Sequence, residues 1–260
     1  MILHPGFHKT GTSSLQACLA ANRAALAPFA RIVLLDELAE PLRYATRFAT
    51  GGDPLDLAGF TAAFAQICQT AAAETLVISC EGLSGRTPGK KGIVDYRAAV
   101  PLAEAMAVAT KAVFGGKARL TLIYTTRDAA GWLHSAWRHN LFGYRVTQDF
   151  DAYSADFAGS ADFAAITAQV AQRLRRAEVI SVRLESVQGA ALGPAEAVLS
   201  QFALPPEVRA GLRNPGRRNV GLTEAVAQEM LALNRSSLSD DEIKRRKAAL
   251  LRPGTAPRLD

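Results

Sequence analysis

The first residues of the chain carry groups that bind anions such as phosphate. Residues 4–16 read HPGFHKTGTSSLQ, in which Gly6 and Gly11 allow tight backbone turns and Lys9 adds a positive charge. The candidate hydroxyl donors of this segment are Thr10, Thr12 and Ser13. Successive backbone N–H groups at the start of a helix form an anion site. We therefore interpret residues 5–14 as an anion-binding loop, called the anion loop below.

The order of residues in the anion loop differs from that of a Walker A loop. In the Walker A pattern GxxxxGK[ST] the lysine follows the second glycine, whereas here Lys9 precedes Gly11. A Gly-, Ser- and Thr-rich turn that only caps a helix is the alternative interpretation. The loop directly follows the apolar segment Met1–His4, and ligands of parallel sheets bind beyond the carboxyl ends of strands. This position favours the anion site.

A second group of residues suited to a phosphate follows the apolar segment Leu120–Thr125. Arg127 stands at its end, and Ser135 lies about two helical turns further along. A guanidinium binds a phosphate through two parallel hydrogen bonds, and a hydroxyl can complete the site. Asp128 is placed to cap the helix that carries Ser135. The alternative is an arginine paired with a local carboxylate and a serine on the surface.

Glu81 is the candidate general base. It follows the apolar segment Thr75–Ser79 and precedes Gly82, so its carboxylate is expected to face a cleft at the end of a strand. A loop-capping glutamate, or one paired with Arg86, is the alternative. The histidines are rival bases. His8 is the strongest rival because it neighbours Lys9, whereas three others are expected to serve packing or to face solvent: His4, His134 and His139.

Short apolar segments alternate with helical patterns, which is typical of an α/β fold with a central parallel sheet of about five strands flanked by helices. The predicted strands are Met1–His4, Arg31–Leu35, Thr75–Ser79, Leu120–Thr125 and Val179–Leu184. The predicted helices are Thr12–Ala25, Leu57–Ala73, Tyr96–Phe114, Ala130–Leu141, Phe163–Ala177, Ala195–Phe202, Thr223–Asn234 and Asp240–Leu251. Thr223 and Ser239 are predicted N-caps. Trp132 and Trp137 are expected to pack in the core.

The length of 260 residues fits one domain, with a core over residues 1–235 and a C-terminal helix and tail over residues 236–260. The run Lys244–Lys247 is predicted to be a solvated helix face. Residues 36–60 and 142–165 are expected to shape an acceptor pocket. Three cysteines form no CxxC pair and indicate reduced thiols: Cys18, Cys68 and Cys80.

The composition limits the classes of protein. No segment reaches the roughly 18 apolar residues of a membrane helix, and the first residues do not resemble a signal peptide, so a soluble, cytoplasmic protein is expected. The net charge of +6 and the pI near 9.5 suit an anionic partner. The basic residues are scattered and no nucleic-acid-binding motif occurs, which argues against nucleic acid.

The two phosphate motifs together resemble those of the sulfotransferases that use 3'-phosphoadenosine 5'-phosphosulfate (PAPS). Residues 4–16 are similar to the 5'-phosphosulfate loop of bacterial members. Residues 127–135, RDAAGWLHS, are similar to the family's Arg-Asp-Pro-x-x-Trp-Leu-x-Ser-like motif for the 3'-phosphate. There are two departures. Ala129 replaces the usual proline, and Ser14 stands where cytosolic members that act on small phenols and steroids have an adenine-stacking tryptophan.

The resemblance implies a role for each matching residue. Lys9 would bind the 5'-phosphate and the bridging oxygen, and Arg127 and Ser135 would bind the 3'-phosphate. The remaining residues of the anion loop would complete the cofactor site: Gly6, Thr10, Gly11, Thr12 and Ser13. Arg217 or Arg218, in a late basic loop, would contact the 3'-phosphate or adenine, and a solvated basic loop is the alternative.

The resemblance extends to about residue 235 and implies a sheet related to that of nucleotide kinases. Its implied reaction is metal-free transfer of a sulfuryl group from PAPS to a hydroxyl or amine, with a carbohydrate or glycolipid as one class of acceptor. Lys9, Glu81 and His8 are then the candidate catalytic residues. Two alternatives stay open: a kinase-like transferase, which would need Mg²⁺, and an inactive protein that binds PAPS or its product adenosine 3',5'-bisphosphate (PAP).

Overall fold

A five-stranded sheet forms the centre of the computed structural model, which describes residues 1–90, 92–216 and 221–251. The strands are β1 (Ile2–His4), β2 (Arg31–Val33), β3 (Leu76–Ser79), β4 (Thr121–Thr126) and β5 (Glu178–Arg183). All pairings are parallel, and the order across the sheet is β2-β3-β1-β4-β5. The predicted α/β fold with about five parallel strands is therefore confirmed.

Helices cover both faces of this sheet. They are α1 (Thr12–Ala21), α2 (Arg23–Leu26), α3 (Ala39–Gly51), α4 (Pro54–Thr70), α5 (Ala99–Phe114), α6 (Ala129–Gly143), α7 (Phe150–Phe157), α8 (Phe163–Arg173), α9 (Leu184–Val187), α10 (Glu196–Leu199), α11 (Pro206–Gly211), α12 (Glu224–Arg235) and α13 (Asp240–Leu250). One apolar cluster includes Leu3 and Trp132, and a second includes Ile2 and Leu19. Alternate residues of β1 thus enter opposite layers, as the two-residue period of a strand requires.

Helix capping follows the sequence closely. The Asp128 carboxylate accepts a hydrogen bond from the Gly131 N–H at 2.7 Å at the start of α6. Thr223 and Ser239 cap α12 and α13 in the same way. Trp132 and Trp137 are fully buried in the core. The expectations for these three caps and two tryptophans are confirmed.

The helix predicted over Thr12–Ala25 is divided at Asn22. The Asn22 side chain is buried and donates to the Cys18 carbonyl at 2.8 Å, and its amide oxygen accepts from the Arg213 N–H at 2.8 Å. The side chain thus competes with the helical backbone for hydrogen bonds while joining α1 to a distant segment. Sequence patterns do not show a contact across 191 residues.

The C-terminal helix α13 packs on the rest of the fold. Lys247 is 4% exposed, and its ammonium donates to the carbonyl oxygens of Leu141 at 2.6 Å and Tyr144 at 2.8 Å. The prediction that Lys244–Lys247 is a solvated face is wrong at this residue, because the end of α6 offers carbonyls that the long side chain can reach. The three preceding residues of the run are exposed.

Candidate functional site

The carboxyl ends of β1, β3 and β4 bring the three predicted groups to one edge of the sheet. β1 lies between β3 and β4, so the anion loop lies between the segment that starts at Cys80 and the one that starts at Arg127. The chain leaves β1 toward β2 on one side and leaves β4 toward β5 on the other. Such a reversal of direction opens a crevice at the sheet edge, where ligands of α/β proteins bind.

The anion loop turns through three residues in the left-handed region. Their φ angles are +51° at Gly6, +67° at Lys9 and +89° at Gly11, which directly precedes α1. A Cβ at Gly6 would lie 3.0 Å from both His4 Nε2 and Thr12 Cγ2. Glycine is therefore required at residue 6 by both conformation and space. The turns bring the loop onto the amino terminus of α1, as an anion site requires.

A buried hydrogen-bond network joins the loop to the strands beneath it. The His4 ring contacts Ser79 Oγ at 2.8 Å through Nδ1 and Thr125 Oγ1 at 3.1 Å through Nε2. Thr10 Oγ1 lies 2.8 Å from Thr125 Oγ1 and donates to the Phe7 carbonyl at 2.6 Å. Burial lowers the pKa of His4 to about 4, so its ring is neutral. His4 is a structural residue, as expected, and Thr10 positions the loop from below.

Two aromatic side chains hold the backbone at His8. Trp132 Nε1 donates to the His8 carbonyl at 2.8 Å, and the His8 N–H donates to the Tyr96 hydroxyl at 3.2 Å. Phe7 stacks on Tyr124 in the core below. Because the backbone N–H and the carbonyl of His8 are both bonded to buried aromatic residues, the loop is held firmly on this side. Trp132 therefore contributes to the shape of the site as well as to the core.

Lys9 and Arg127 are cations that form no ion pair with a carboxylate in the described part of the chain. Neither side chain forms a hydrogen bond or ion pair with any residue in the described part of the chain. Burial lowers the pKa of Lys9, the charge of Glu81 opposes this, and Arg127 lowers it further. The two cations thus repel each other, and an anion from solution would relieve that repulsion.

The backbone at Lys9 offers a test of strain. Among described residues, Lys9 alone has a positive φ without being glycine, a conformation that disfavours any side chain. We expect Lys9→Gly to be more stable than Lys9→Ala by about 1 kcal/mol, although glycine normally lowers stability. Urea denaturation of both variants measures the difference, since both lack the ammonium. An alanine variant of equal or greater stability would show that residue 9 is unstrained.

Glu81 begins a short 3₁₀ turn directly after β3 and Cys80. Its Oε2 accepts a hydrogen bond from Gln16 Nε2 of α1 at 2.8 Å. The Glu81 charge raises the pKa of both His4 and Lys9, which places its carboxylate within electrostatic reach of the loop. Gln16 was not singled out in the sequence, although it lies one helical turn into α1.

The electrostatics favour Glu81 over His8 as a base. Burial, with the positive charges of Lys90, Lys9 and Arg86, lowers the pKa of His8 to about 3. An imidazole of this pKa accepts a proton poorly at neutral pH, because the imidazolium would be buried among three cations. His8 remains a neighbour of the site, and its ring Nδ1 lies 3.4 Å from the Tyr96 hydroxyl that also holds its backbone N–H.

Helix α6 presents two polar residues on one face. Ser135 and His139 are four residues apart, and such residues share a helix face. Burial lowers the pKa of His139 to about 3, and Lys9, Lys90 and His8 contribute to this lowering. His139 therefore lies within electrostatic reach of Lys9, and Ser135 lies one helical turn nearer than His139 to the start of α6, which Arg127 precedes. His134 turns instead toward Phe150 and Glu224.

The other predicted ligands occupy the loop and the start of α1. Thr12 is buried and Ser13 is partly exposed at the first turn of this helix. A side chain at residue 11 would clash with Leu184, since a Cβ there would lie 2.6 Å from Leu184 Cδ1. Arg217 and Arg218 lie outside the described residues, so their predicted contacts stay predictions.

A cavity of about 300 Å³ opens beside Glu81 and His8. Arg86, Thr87 and Lys90 line it, and all three come from the connection that follows β3. Sequence reasoning weighed Arg86 only as a partner for Glu81 and missed Lys90. The basic, glycine-containing run GRTPGKKG at residues 85–92 was the available signal.

A second cavity of about 440 Å³ lies at the opposite edge of the sheet. Leu120 and Ala177, which precede β4 and β5, line it together with residues near the ends of α5 and α8. No predicted site residue reaches this cavity. Because ligands of parallel sheets bind at the carboxyl ends of strands, the first cavity is the better candidate for chemistry.

No family model, curated protein or solved structure matches the chain, so these comparisons assign it to no family. Within the described ranges, no group of three or more His, Cys, Asp or Glu side chains is arranged to hold a metal ion. No helix in those ranges combines the length and apolar character that a bilayer crossing requires. Cys18, Cys68 and Cys80 are buried, and none of them forms a disulfide in the described structure.

Proposed function

We propose that the protein is a sulfotransferase that uses PAPS as the sulfuryl donor and a hydroxyl or amine as the acceptor. The observation that carries this proposal is the pair of cations Lys9 and Arg127. They follow the adjacent strands β1 and β4, and neither forms an ion pair with a described carboxylate. PAPS carries anionic groups at both its 5' and 3' ends, so one nucleotide would satisfy both.

The residues of the anion loop and of the Arg127–Ser135 segment fit the chemistry of the phosphate assigned to each. At the 5' end, left-handed turns at residues 6, 9 and 11 lead directly into a ten-residue helix, α1. At the 3' end, Arg127 supplies a guanidinium, and Ser135 supplies a hydroxyl from α6, the helix that follows Arg127. The strand order, with the loop following the central strand, suits a nucleotide-kinase-like architecture for the whole domain.

The proposed reaction is an in-line displacement at sulfur. The acceptor oxygen bonds to sulfur while the bond between sulfur and the bridging oxygen breaks, and the bonding electrons leave with the 5'-phosphate of PAP. Glu81 takes the proton of the acceptor. Lys9 and the N–H groups of the anion loop stabilise the charge that develops on the bridging oxygen. Gln16 holds the Glu81 carboxylate in place through the 2.8 Å hydrogen bond.

The proposed contact between Arg127 and the 3'-phosphate is tested by removing either the arginine or the phosphate. We expect Arg127→Gln to weaken PAP binding about 10- to 100-fold, because a hydrogen bond to a charged group contributes roughly 1.5–3 kcal/mol. Binding of adenosine 5'-monophosphate, which lacks the 3'-phosphate, should change less than about 3-fold because this contact is absent. Isothermal titration calorimetry with both ligands measures the two effects.

Arg183→Gln is the matched control, because Arg183 ends the neighbouring strand β5 and is exposed. It should leave both affinities unchanged. Absence of PAP binding by the unchanged protein would reject the proposed function. An equal loss for both nucleotides in Arg127→Gln would reject the role of Arg127 at the 3'-phosphate.

A further inference from the structure

The cavity beside Glu81 is built from two charged side chains on a buried floor. Arg86 and Lys90 are both partly buried, and Thr87 between them is 1% exposed. Leu42 contributes an apolar wall from α3. The volume of about 300 Å³ suits a small molecule such as a sugar unit or a single aromatic ring.

The described lining of this cavity has more positive than negative charge. Glu81 is its acidic residue, and the Glu81 carboxylate is already bonded to Gln16. Arg86 donates to the Tyr144 hydroxyl at 3.3 Å, and the Lys90 ammonium donates to His139 Nε2 at 2.7 Å. His139 is neutral, because burial and nearby cations lower its pKa to about 3. Neither cation therefore has a described anionic partner.

A further observation points to a missing anionic partner. Burial and the charges of Arg86 and Lys9 lower the pKa of Lys90 to about 8, so these cations destabilise one another in the absence of an anion.

Resting on the function proposed above, we infer that this cavity binds the acceptor and that the acceptor carries its own anionic group, held by Arg86 and Lys90. The hydroxyl to be sulfated then faces Glu81, which lines the same cavity. Its proton passes to Glu81, its oxygen bonds to sulfur, and PAP leaves. The substrate class is thus a small hydroxylated carboxylate, phosphate or sulfate ester, or the corresponding terminal unit of a larger acidic molecule.

Arg86 and Lys90 are assigned to the acceptor because the cavity that they line is not lined by Arg127 or Ser135. Arg86 and Lys90 both follow β3, on the side of β1 opposite to Arg127. Glu81 lines the same cavity as Arg86 and Lys90. A base that shares its cavity with two cations is placed to act on a molecule that the cations orient.

The inference is tested with pairs of hydroxyl compounds that differ only in charge. Methyl β-D-glucuronide is compared with methyl β-D-glucoside, and 4-hydroxybenzoate with 4-hydroxybenzamide, by NMR titration against the PAP-saturated protein. We expect at least one anion to bind about 10-fold or more tightly than its neutral partner, and Arg86→Gln and Lys90→Gln each to reduce that preference about 10-fold. Arg97→Gln, an exposed residue of the same connection, should not change it.

The outcomes separate this inference from the proposed function. No preference for either anion, or a preference that survives both cavity variants, would overturn the inference while PAP binding upholds the function. Loss of PAP affinity in Arg86→Gln and Lys90→Gln as large as that in Lys9→Ala would assign the cations to the nucleotide and also overturn it. Failure of the unchanged protein to bind PAP would remove the function and the inference together.

Discussion

Lys9→Ala is expected to lower the rate of sulfuryl transfer by on the order of 10²-fold or more, by analogy with the loss of a donor that stabilises an oxyanion. Lys9 is assigned to the bridging oxygen and the 5'-phosphate, where negative charge develops as the sulfur–oxygen bond breaks. The ammonium is partly buried beside Arg127 and lacks a described ion-pair partner. Its interaction with that charge is therefore poorly screened by water.

Transfer of ³⁵S from labelled PAPS to the acceptor compounds measures this effect. Lys117→Ala is the control, because Lys117 is an exposed lysine that precedes β4 at the opposite edge of the sheet. The lysine variant at residue 9 must also be shown to be folded, for which circular dichroism is sufficient. A Lys9→Ala protein that transfers sulfuryl groups at the original rate would contradict the assignment of the anion loop.

Glu81→Gln is expected to lower kcat about 10²- to 10⁴-fold while leaving PAP affinity nearly unchanged, because general base catalysis typically contributes that factor. The substitution keeps the size of the side chain, and a glutamine oxygen can still accept from Gln16 Nε2. It removes the proton acceptor. A split between a large loss of kcat and an intact PAP titration therefore distinguishes a base from a structural carboxylate.

The control for Glu81 is Glu104→Gln, a glutamate of α5 that pairs with Arg173 far from the anion loop. The transfer assay is run in EDTA, so that any Mg²⁺-dependent phosphoryl transfer is absent from the measured rate. Retention of full kcat in Glu81→Gln would leave two possibilities to be tested in turn: a base other than Glu81, such as His8, or a reaction that needs no base.

Much of the site was visible as residue types directly after strands. Lys9, Glu81 and Arg127 each follow a short apolar segment, and parallel strands bring such residues to one edge. The network of His4, Ser79 and Thr125 was not visible, since its members are ordinary residues until β1, β3 and β4 are placed side by side. Residues 36–60 were expected to shape a pocket, and α3 within that range contributes Leu42 to the cavity wall.

The sequence alone determined the strand segments, the helix caps and the anion loop, because these depend on hydrophobic period, capping side chains and glycine over a few neighbouring residues. Only the tertiary structure decided which side chains became neighbours: His139 of α6 beside Lys90, Asn22 against residue 213, and Lys247 against the end of α6. These contacts join residues that are 49 to 191 positions apart. The burial of these side chains and the charges around them, which set the pKa values of the site, arise only when the sheet and helices pack.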